Sequence, residues 1–253
     1  MGGLGPPPAR VCHGFVMRPL RLHWSSSKPN FGDWLSPVIC GILSGRTVVH
    51  AGVGRCDLVA VGSLLSRIKE GWFQRPVHVW GTGFIEERPV KSSKHFYHAV
   101  RGHKSAAQLR SPTVPALGDP GLLCDLVLPE HARLGKDYAV GLVPHYTDQD
   151  HPWVRRFVER HPHTTILNVF SEVRDFLRQL ARCEFVISSS LHGLIAADSF
   201  SIPNARIRLS RRIRGDDFKF DDYYSVYGID RPEVIPTETE LTRGRIEELL
   251  AEK

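Results

Sequence analysis

No stretch of the 253-residue chain approaches the roughly 18 to 20 consecutive apolar residues that cross a bilayer, and the opening MGGLGPPPARVCHGF has no apolar core of the kind a secretory leader needs. Both absences point to a cytoplasmic protein. The five cysteines, Cys12, Cys40, Cys56, Cys124 and Cys183, contain no CxxC pair, so neither a zinc site nor a disulfide framework is indicated, and reduced thiols mostly in the core are expected. HExxH is missing, as is an acidic DxD before a nucleotide-like loop, so no metal site is evident. A GxSxG elbow is missing too, which takes away the signature of an α/β-hydrolase. The formal charge of +6 comes without a zinc finger, an RNP-type aromatic motif or a continuous basic helix, so nucleic acid is not an expected partner even though basic and acidic groups adjoin in RLSRRIRGDDFK, 208–219.

What remains is the composition of an ordinary soluble globular protein, 42% hydrophobic and long enough for one large or two small domains. Gly and Pro crowd the first sixteen residues, and periodic sequence begins only after Met17, so 1–16 reads as a disordered extension. Beyond it, short apolar runs alternate with helical periodicity. LRLHW, RTVVHAG, DLVAVGS, PVHVWGTGF and HFYHAVRG read as strands, with a helix marked by Leu35, Val38, Ile39, Ile42 and Leu43 after the first. A loop-rich passage precedes a fresh start at YAVGLVPHY. There the alternation resumes with the helix HPWVRRFVER, the strand TTILNVF and a helix carrying Val173, Phe176, Leu177 and Leu180 on one stripe. The alternation predicts parallel sheets covered on both faces: an N-terminal half over 17–135, a C-terminal half over 136–230, a cleft between them, and a tail with a terminal helix over 231–253.

Polar residues gather where strands hand over to helices, which is where open α/β sheets bind ligands. In FVISSSLHGLIAADSFSIP, 185–203, an apolar strand stops at three serines and resumes as a helix, placing His192 and the backbone N–H groups of the new helix at a strand end suited to anions. So many small polar neighbours argue against a purely structural histidine. His145 ends the preceding strand and faces the same cleft if the two strands share a parallel sheet; a hydrogen-bonded structural role is the other reading. Asp33 in Asn30-Phe31-Gly32-Asp33 either caps the first helix or faces the cleft. Ser63 and Thr82 follow strands in small-residue loops, and Arg101 emerges at a strand end, where it is either a surface ion-pair partner or a clamp for carboxylate or phosphate. Asp119, in GDPG, belongs to a turn by composition, and nothing local gives it a chemical role. FKFDDYYSVYG, 218–228, sets carboxylates among aromatics, a pattern shared by sugar sites and packed helices.

Taken in order, PNFGDWLSPVI, VAVGSLL, VWGTGF, AVRGHKSAAQL, LGDPGLL, GLVPHY, FVISSSLHGLIAADSFSIP and FKFDDYY resemble the polysaccharide pyruvyl transferase family across about residues 22 to 228. RGHKS through FDDYY is most similar to the ketal pyruvate transferases of xanthan-type exopolysaccharide assembly. The resemblance implies a two-domain fold of glycosyltransferase-B type and transfer of the enolpyruvyl group of phosphoenolpyruvate to a sugar as a cyclic ketal, with phosphate released and no cofactor beyond that co-substrate. It places the histidine of SSLHG and the arginine of RG, His192 and Arg101 here, in the donor site, with His192 as an imidazolium acid. Ser190, Leu191, Gly193 and His145 join them around phosphoenolpyruvate, while Asn30, Asp33, Ser63 and Thr82 face the acceptor. The acceptor expected is a glycan precursor, most naturally a lipid-linked oligosaccharide met by a basic protein at the inner face of the cytoplasmic membrane. A nucleotide-sugar glycosyltransferase on the same fold is the alternative, with Glu172 as its candidate for ribose hydroxyls; a polyanion-binding module without chemistry is a third.

Overall fold

A computed structural model of the protein describes residues 17–27, 30–69, 71, 73–88, 91–92, 94–110, 115–210, 215, 217–229, 234–237, 244 and 248. The extension over 1–16 and almost all of the terminal helix expected after 237 lie outside the described residues. The first eight strands are β1 (Leu20–His23), β2 (Val48–His50), β3 (Leu58–Val59), β4 (His78–Trp80), β5 (Lys91–Ser92), β6 (Phe96–Val100), β7 (Leu109–Arg110) and β8 (Ala116–Leu117). Six of them make a parallel sheet in the order β2-β1-β3-β4-β6-β8, and β5 pairs with β7 beside it. A second parallel sheet follows, ordered β10-β9-β11-β12-β13, from β9 (Tyr138–Val143), β10 (Thr164–Ile166), β11 (Cys183–Ser188), β12 (Asn204–Ile207) and β13 (Val234–Ile235). In both sheets the chain lays its second strand outside the first and then reverses. Each therefore has a topological switch point, between β1 and β3 in one and between β9 and β11 in the other, and such points open crevices at the carboxyl ends of the strands.

The helices are α1 (Phe31–Ser44), α2 (His103–Ala107), α3 (Cys124–Val127), α4 (Pro152–Arg160), α5 (Val173–Ala181), α6 (Leu191–Ser199) and α7 (Phe218–Tyr224). Asn30 caps α1 through its side-chain oxygen, which accepts from the N–H groups of Gly32 and Asp33, and Gly45 ends it in the left-handed region at φ 62°. The apolar stripe of α1 does not stay with its own sheet. Phe31, Leu35 and Ile39 share a core with Phe176 and Leu177 of α5 and Val186 of β11, and the rings of Phe31 and Phe176 stack 3.9 Å apart. The Phe31 N–H donates to the carbonyl of Val169, so the second half anchors the first turn of α1. Cys40, Cys56, Cys124 and Cys183 are free and buried. Among the described residues no helix is long and apolar enough to cross a membrane.

FKFDDYY is a packed helix. Asp222 of α7 is fully buried; one carboxylate oxygen takes the Ser105 N–H at 2.7 Å, and the other takes the Ser105 hydroxyl at 2.6 Å and Arg101 Nε at 2.9 Å. Arg101 is equally enclosed, donating also to Ser63 Oγ and the Phe84 carbonyl. The close fit of α7 against the start of α2 requires Gly102, where a Cβ would stand 1.7 Å from the Asp222 carbonyl oxygen. Removing one partner of a buried ion pair leaves the other charge uncompensated, which costs about 3–5 kcal/mol. Asp222→Ala is therefore expected to lose about that much in urea unfolding, whereas Arg101→Met combined with Asp222→Leu should lose much less; equal losses would contradict the pairing.

Candidate active site

Both switch points open into one pocket of about 270 Å³. Asn30, Asp33 and Ser63 come from the first sheet's side, and His145, Ser190 and His192 from the second. A larger groove at the opposite, amino ends of the first sheet's strands is lined by Arg18, Arg21 and Arg75, with Arg21 committed to Asp57. It lacks the strand-end loops and helix start that recommend the first.

The three serines divide their labour. Ser188 Oγ bonds the carbonyls of Val143 and Ser190, Ser189 Oγ accepts the N–H of His145 at 2.8 Å, and these bonds tie the end of β11 to the end of β9. The pairing of Ser188 with Val143 sets the register that brings His145 and His192 to one wall. Ser190 is left at the pocket as the N-cap of α6, making no side-chain capping bond, so the helix start is open to an anion. Leu191 lines the pocket beside it. Gly193 lies behind the wall; a Cβ there would meet Ser188 Oγ at 2.5 Å and Val143 Cγ1 at 2.7 Å, so it is glycine for helix-to-sheet packing.

Arg101 and Thr82 also stand behind the wall. Thr82 is fully buried, donating to the Gly62 carbonyl at 2.7 Å and accepting the Leu64 N–H at 3.0 Å, and so shapes the loop that carries Ser63. Arg101 reaches the pocket through Ser63, to which Nη1 donates at 2.8 Å, while Nε donates to Asp222 and Nη2 to the Phe84 carbonyl. It is neither a surface ion-pair partner nor a guanidinium open to a ligand, because α7 covers it.

Asp33 is not the cap of α1. Its carboxylate accepts from Asn30 Nδ2 at 2.7 Å on the pocket wall, and burial pushes it up to about 7 against the pull of Arg67, Asn30 and Lys219. Lys219 of α7 is a cation on the wall that local sequence does not single out, and Arg67 is another. Burial, with Arg101 and Arg206 adding to it, pulls Lys219 down to about 7. His145 is held at about 3 by burial and Lys219, and His192 at about 3 by burial, Lys219, Arg101 and His145. His192 is thus neutral, which departs from the imidazolium expected of it; burial of a ring only 16% exposed is the main cause, and the surrounding cations add to it.

Asp119, given no role by its local sequence, comes to rest beneath His192, its Oδ2 lying 4.0 Å from Nε2. On the other side, a Cβ on Gly32 would fall 2.2 Å from Nδ1. Gly32 of α1 therefore makes room for the imidazole. Glu172 is the exposed N-cap of α5, accepting from the N–H groups of Arg174 and Asp175, and does not line the pocket. Among the described residues no cluster of three or more His, Cys, Asp or Glu is disposed to hold a metal.

The family model described as "Polysaccharide pyruvyl transferase" matches residues 12–211. The chain is 28% identical over 232 residues to "Succinoglycan biosynthesis protein ExoV" of Rhizobium meliloti (strain 1021), spanning 86% of this chain and 68% of that protein. It is 32% identical over 162 residues to "Uncharacterized protein L143" of Acanthamoeba polyphaga mimivirus, covering 60% of this chain and only 55% of the viral protein. The crystal structure of an uncharacterised protein, KP1_0663, from Klebsiella pneumoniae superposes with a TM-score of 0.51 over 85% of this chain and 92% of that one, at 10% identity, which speaks for the fold alone.

Gly32→Ala gains helix propensity of about 1 kcal/mol, which offsets part of the cost of the clash, and is expected to leave the unfolding free energy within about 1 kcal/mol of the parent. The displaced ring should lower activity by about 10²-fold, the usual penalty for an ångström of misplacement. An unshifted His192 imidazole resonance with full activity would contradict the packing described.

Proposed function

The chain belongs to the polysaccharide pyruvyl transferase family, and from that premise we propose that it transfers the enolpyruvyl group of phosphoenolpyruvate to two hydroxyls of one sugar, forming a cyclic pyruvate ketal and releasing phosphate. The observation that carries the reading is the single pocket at both switch points, where the open start of α6 and the cations Lys219 and Arg67 await an anion beside two neutral histidines and a carboxyl near neutrality. The donor has a carboxylate and a phosphate; the first needs oriented N–H groups and the second fixed positive charge. Ser190, Leu191 and His192 supply the helix start, and Lys219 supplies the charge. Arg101 contributes from behind, holding Ser63 in place and adding to the positive field.

The steps follow from the groups present. Bound phosphoenolpyruvate brings negative charge against His192 and raises its affinity for a proton. The imidazolium delivers that proton to the methylene carbon, leaving an oxocarbenium-like centre at C2. A sugar hydroxyl attacks C2 and loses its proton; phosphate then departs from C2, and a second hydroxyl closes the ketal and loses its own. Two protons leave the sugar, one restoring the ring and one accompanying phosphate; Asp33, raised to about 7, is the pocket group able to accept one near neutral pH, and His145, held at about 3, can do so only once the bound donor's negative charge has raised its affinity for a proton. Asn30, Asp33 and Ser63 form the acceptor side, contributed by 17–135, and 136–230 forms the donor side, the two together making a glycosyltransferase-B type pair. The acceptor is a sugar of an exopolysaccharide precursor carried on lipid at the cytoplasmic membrane face.

Calorimetric titration with phosphoenolpyruvate, UDP-glucose and GDP-mannose tests the donor. Saturable binding of phosphoenolpyruvate alone is expected; binding of a nucleotide sugar alone would establish the glycosyltransferase instead. The sign of the pH dependence follows from two groups. Lys219, lowered to about 7, loses its proton as pH rises through that value, while Asp33, raised to about 7, becomes negative over the same range. Both changes oppose an anion. Affinity for phosphoenolpyruvate is expected to fall as pH rises from 6 to 8, by about tenfold for each charge changed, and Lys219→Met should bind weakly and keep only the smaller fall that belongs to Asp33. Affinity that rises across this interval would contradict the assignment.

A further inference from the structure

Two enclosed polar atoms face each other without being joined. His192 Nε2 and Asp119 Oδ2 are both buried, neither has a hydrogen-bond partner among the described residues, and 4.0 Å separates them. Buried polar atoms are almost always paired, and an orphaned carboxylate oxygen opposite an orphaned ring nitrogen calls for a reason. Asp119 is not loosely held. It is 2% exposed, at the head of the 3-10 turn Pro120–Leu123, and its other oxygen is committed to the Gly121 N–H at 2.9 Å. That turn packs on both α1 and α6, the two helices that meet at the pocket, and a Cβ on Gly121 would stand 2.9 Å from Ile195 of α6. The free oxygen therefore has one direction to face.

The surroundings of the ring single out this carboxylate. Lys219 from α7, Arg101 from the end of β6 and His145 from the end of β9 all oppose protonation of His192. Asp33 of α1 is across the pocket and bonded to Asn30. Asp222 is locked to Arg101 and Ser105. Asp119 alone among these groups turns an uncommitted oxygen to Nε2.

We propose that Asp119 is the positioning residue for His192: Oδ2 accepts the Nε2–H, which fixes the imidazole tautomer, leaves Nδ1 as the nitrogen that faces substrate, and offsets the charge when the ring takes up its second proton. A small rotation of the ring closes the 4.0 Å gap. The proton that travels to substrate leaves from Nδ1 and the ring returns to the neutral Nε2–H form; Asp119 keeps its negative charge throughout, orienting the acid without passing a proton. What the proton does next rests on the pyruvyl-transfer reading, but the tautomer does not.

Asp119→Asn gives the test a definite sign. Because the Gly121 N–H requires an acceptor, the amide oxygen takes that place and the NH2 group is turned to His192, where it can only donate. Nε2 must then offer its lone pair, and the proton moves to Nδ1, the nitrogen that should be receiving one. Long-range 15N–1H spectra of the ligand-free protein, with His192 assigned by loss of its signals in His192→Gln, should show the Nε2–H form in the parent and the Nδ1–H form in Asp119→Asn. In turnover, kcat should fall on the order of 10²- to 10⁴-fold, with the KM for phosphoenolpyruvate changed no more than about threefold, since a group acting only on the acid does not touch bound donor. An Nδ1–H form in the parent, or the same tautomer in both proteins, overturns the proposal; so does an unchanged kcat in Asp119→Asn. The parent spectrum decides even if the variant folds poorly. Because the spectra contain no substrate, failure of phosphoenolpyruvate as donor would leave the tautomer result intact, and failure of the tautomer prediction would leave the donor untouched.

Discussion

The buried pairing of Arg101 with Asp222 is the constraint on which the pocket depends. It joins the carboxyl end of β6 in the first sheet to α7, more than a hundred residues later in the chain, with neither charge in contact with water. Two walls follow from it. On one side, Arg101 fixes Ser63, which lines the pocket. On the other, α7 is set at the height that brings Lys219 to the pocket. The pair is satisfied by Ser105, Phe84 and Ser63, which is the condition under which a desolvated ion pair can be kept. It contributes geometric specificity more than raw stability, since it ties four separate chain segments, at Ser63, Phe84, Arg101 to Ser105, and Asp222, to one point.

The electrostatics of the pocket follow from that enclosure. Burial is the largest cause of every shift: it brings Lys219 down to about 7 and both histidines to about 3, with neighbouring cations adding to each, and it lifts Asp33 to about 7 against the pull of Arg67 and Lys219. A pocket of this kind is short of negative charge, and an anion bound in it would oppose the burial and cationic repulsion that hold the histidines neutral. A donor with two acidic groups thus brings with it the condition its own protonation requires. The register of β9 against β11 makes this possible, because it carries His145 and His192 to the same wall.

Much of this is legible in the sequence. The alternation of strands and helices, the fresh start near Tyr138 and the handover at Ser188-Ser189-Ser190 all follow from local periodicity, and each occupies the expected stretch in the structure. Residues whose meaning depends on contacts across the chain are harder to read. Arg101 reads locally as an exposed strand-end cation, and its enclosure becomes apparent only when α7 is laid over it. Lys219 is hidden by its neighbours: Asp221, Asp222 and the aromatics dominate the motif, although a lysine between Phe218 and Phe220 on a largely buried helix is a signal in itself. Asp119 has no local signal, because its partner, His192, is far along the chain and meets it only through the packing of α6. Glycine carries more than its composition suggests; Gly32 and Gly193 are both small for the sake of a neighbour that sequence does not place beside them.

The central claim, that a carbon of phosphoenolpyruvate is protonated in this pocket and joined to a sugar, is tested most directly by running the reaction in D2O with 13C-labelled phosphoenolpyruvate and a reducing-end-tagged oligosaccharide acceptor. The product is expected to be a sugar ketal whose methyl group carries one deuteron, formed in step with free phosphate. A product that contains no carbon from phosphoenolpyruvate, or a pyruvyl ketal whose methyl carries no solvent deuteron, would contradict the account.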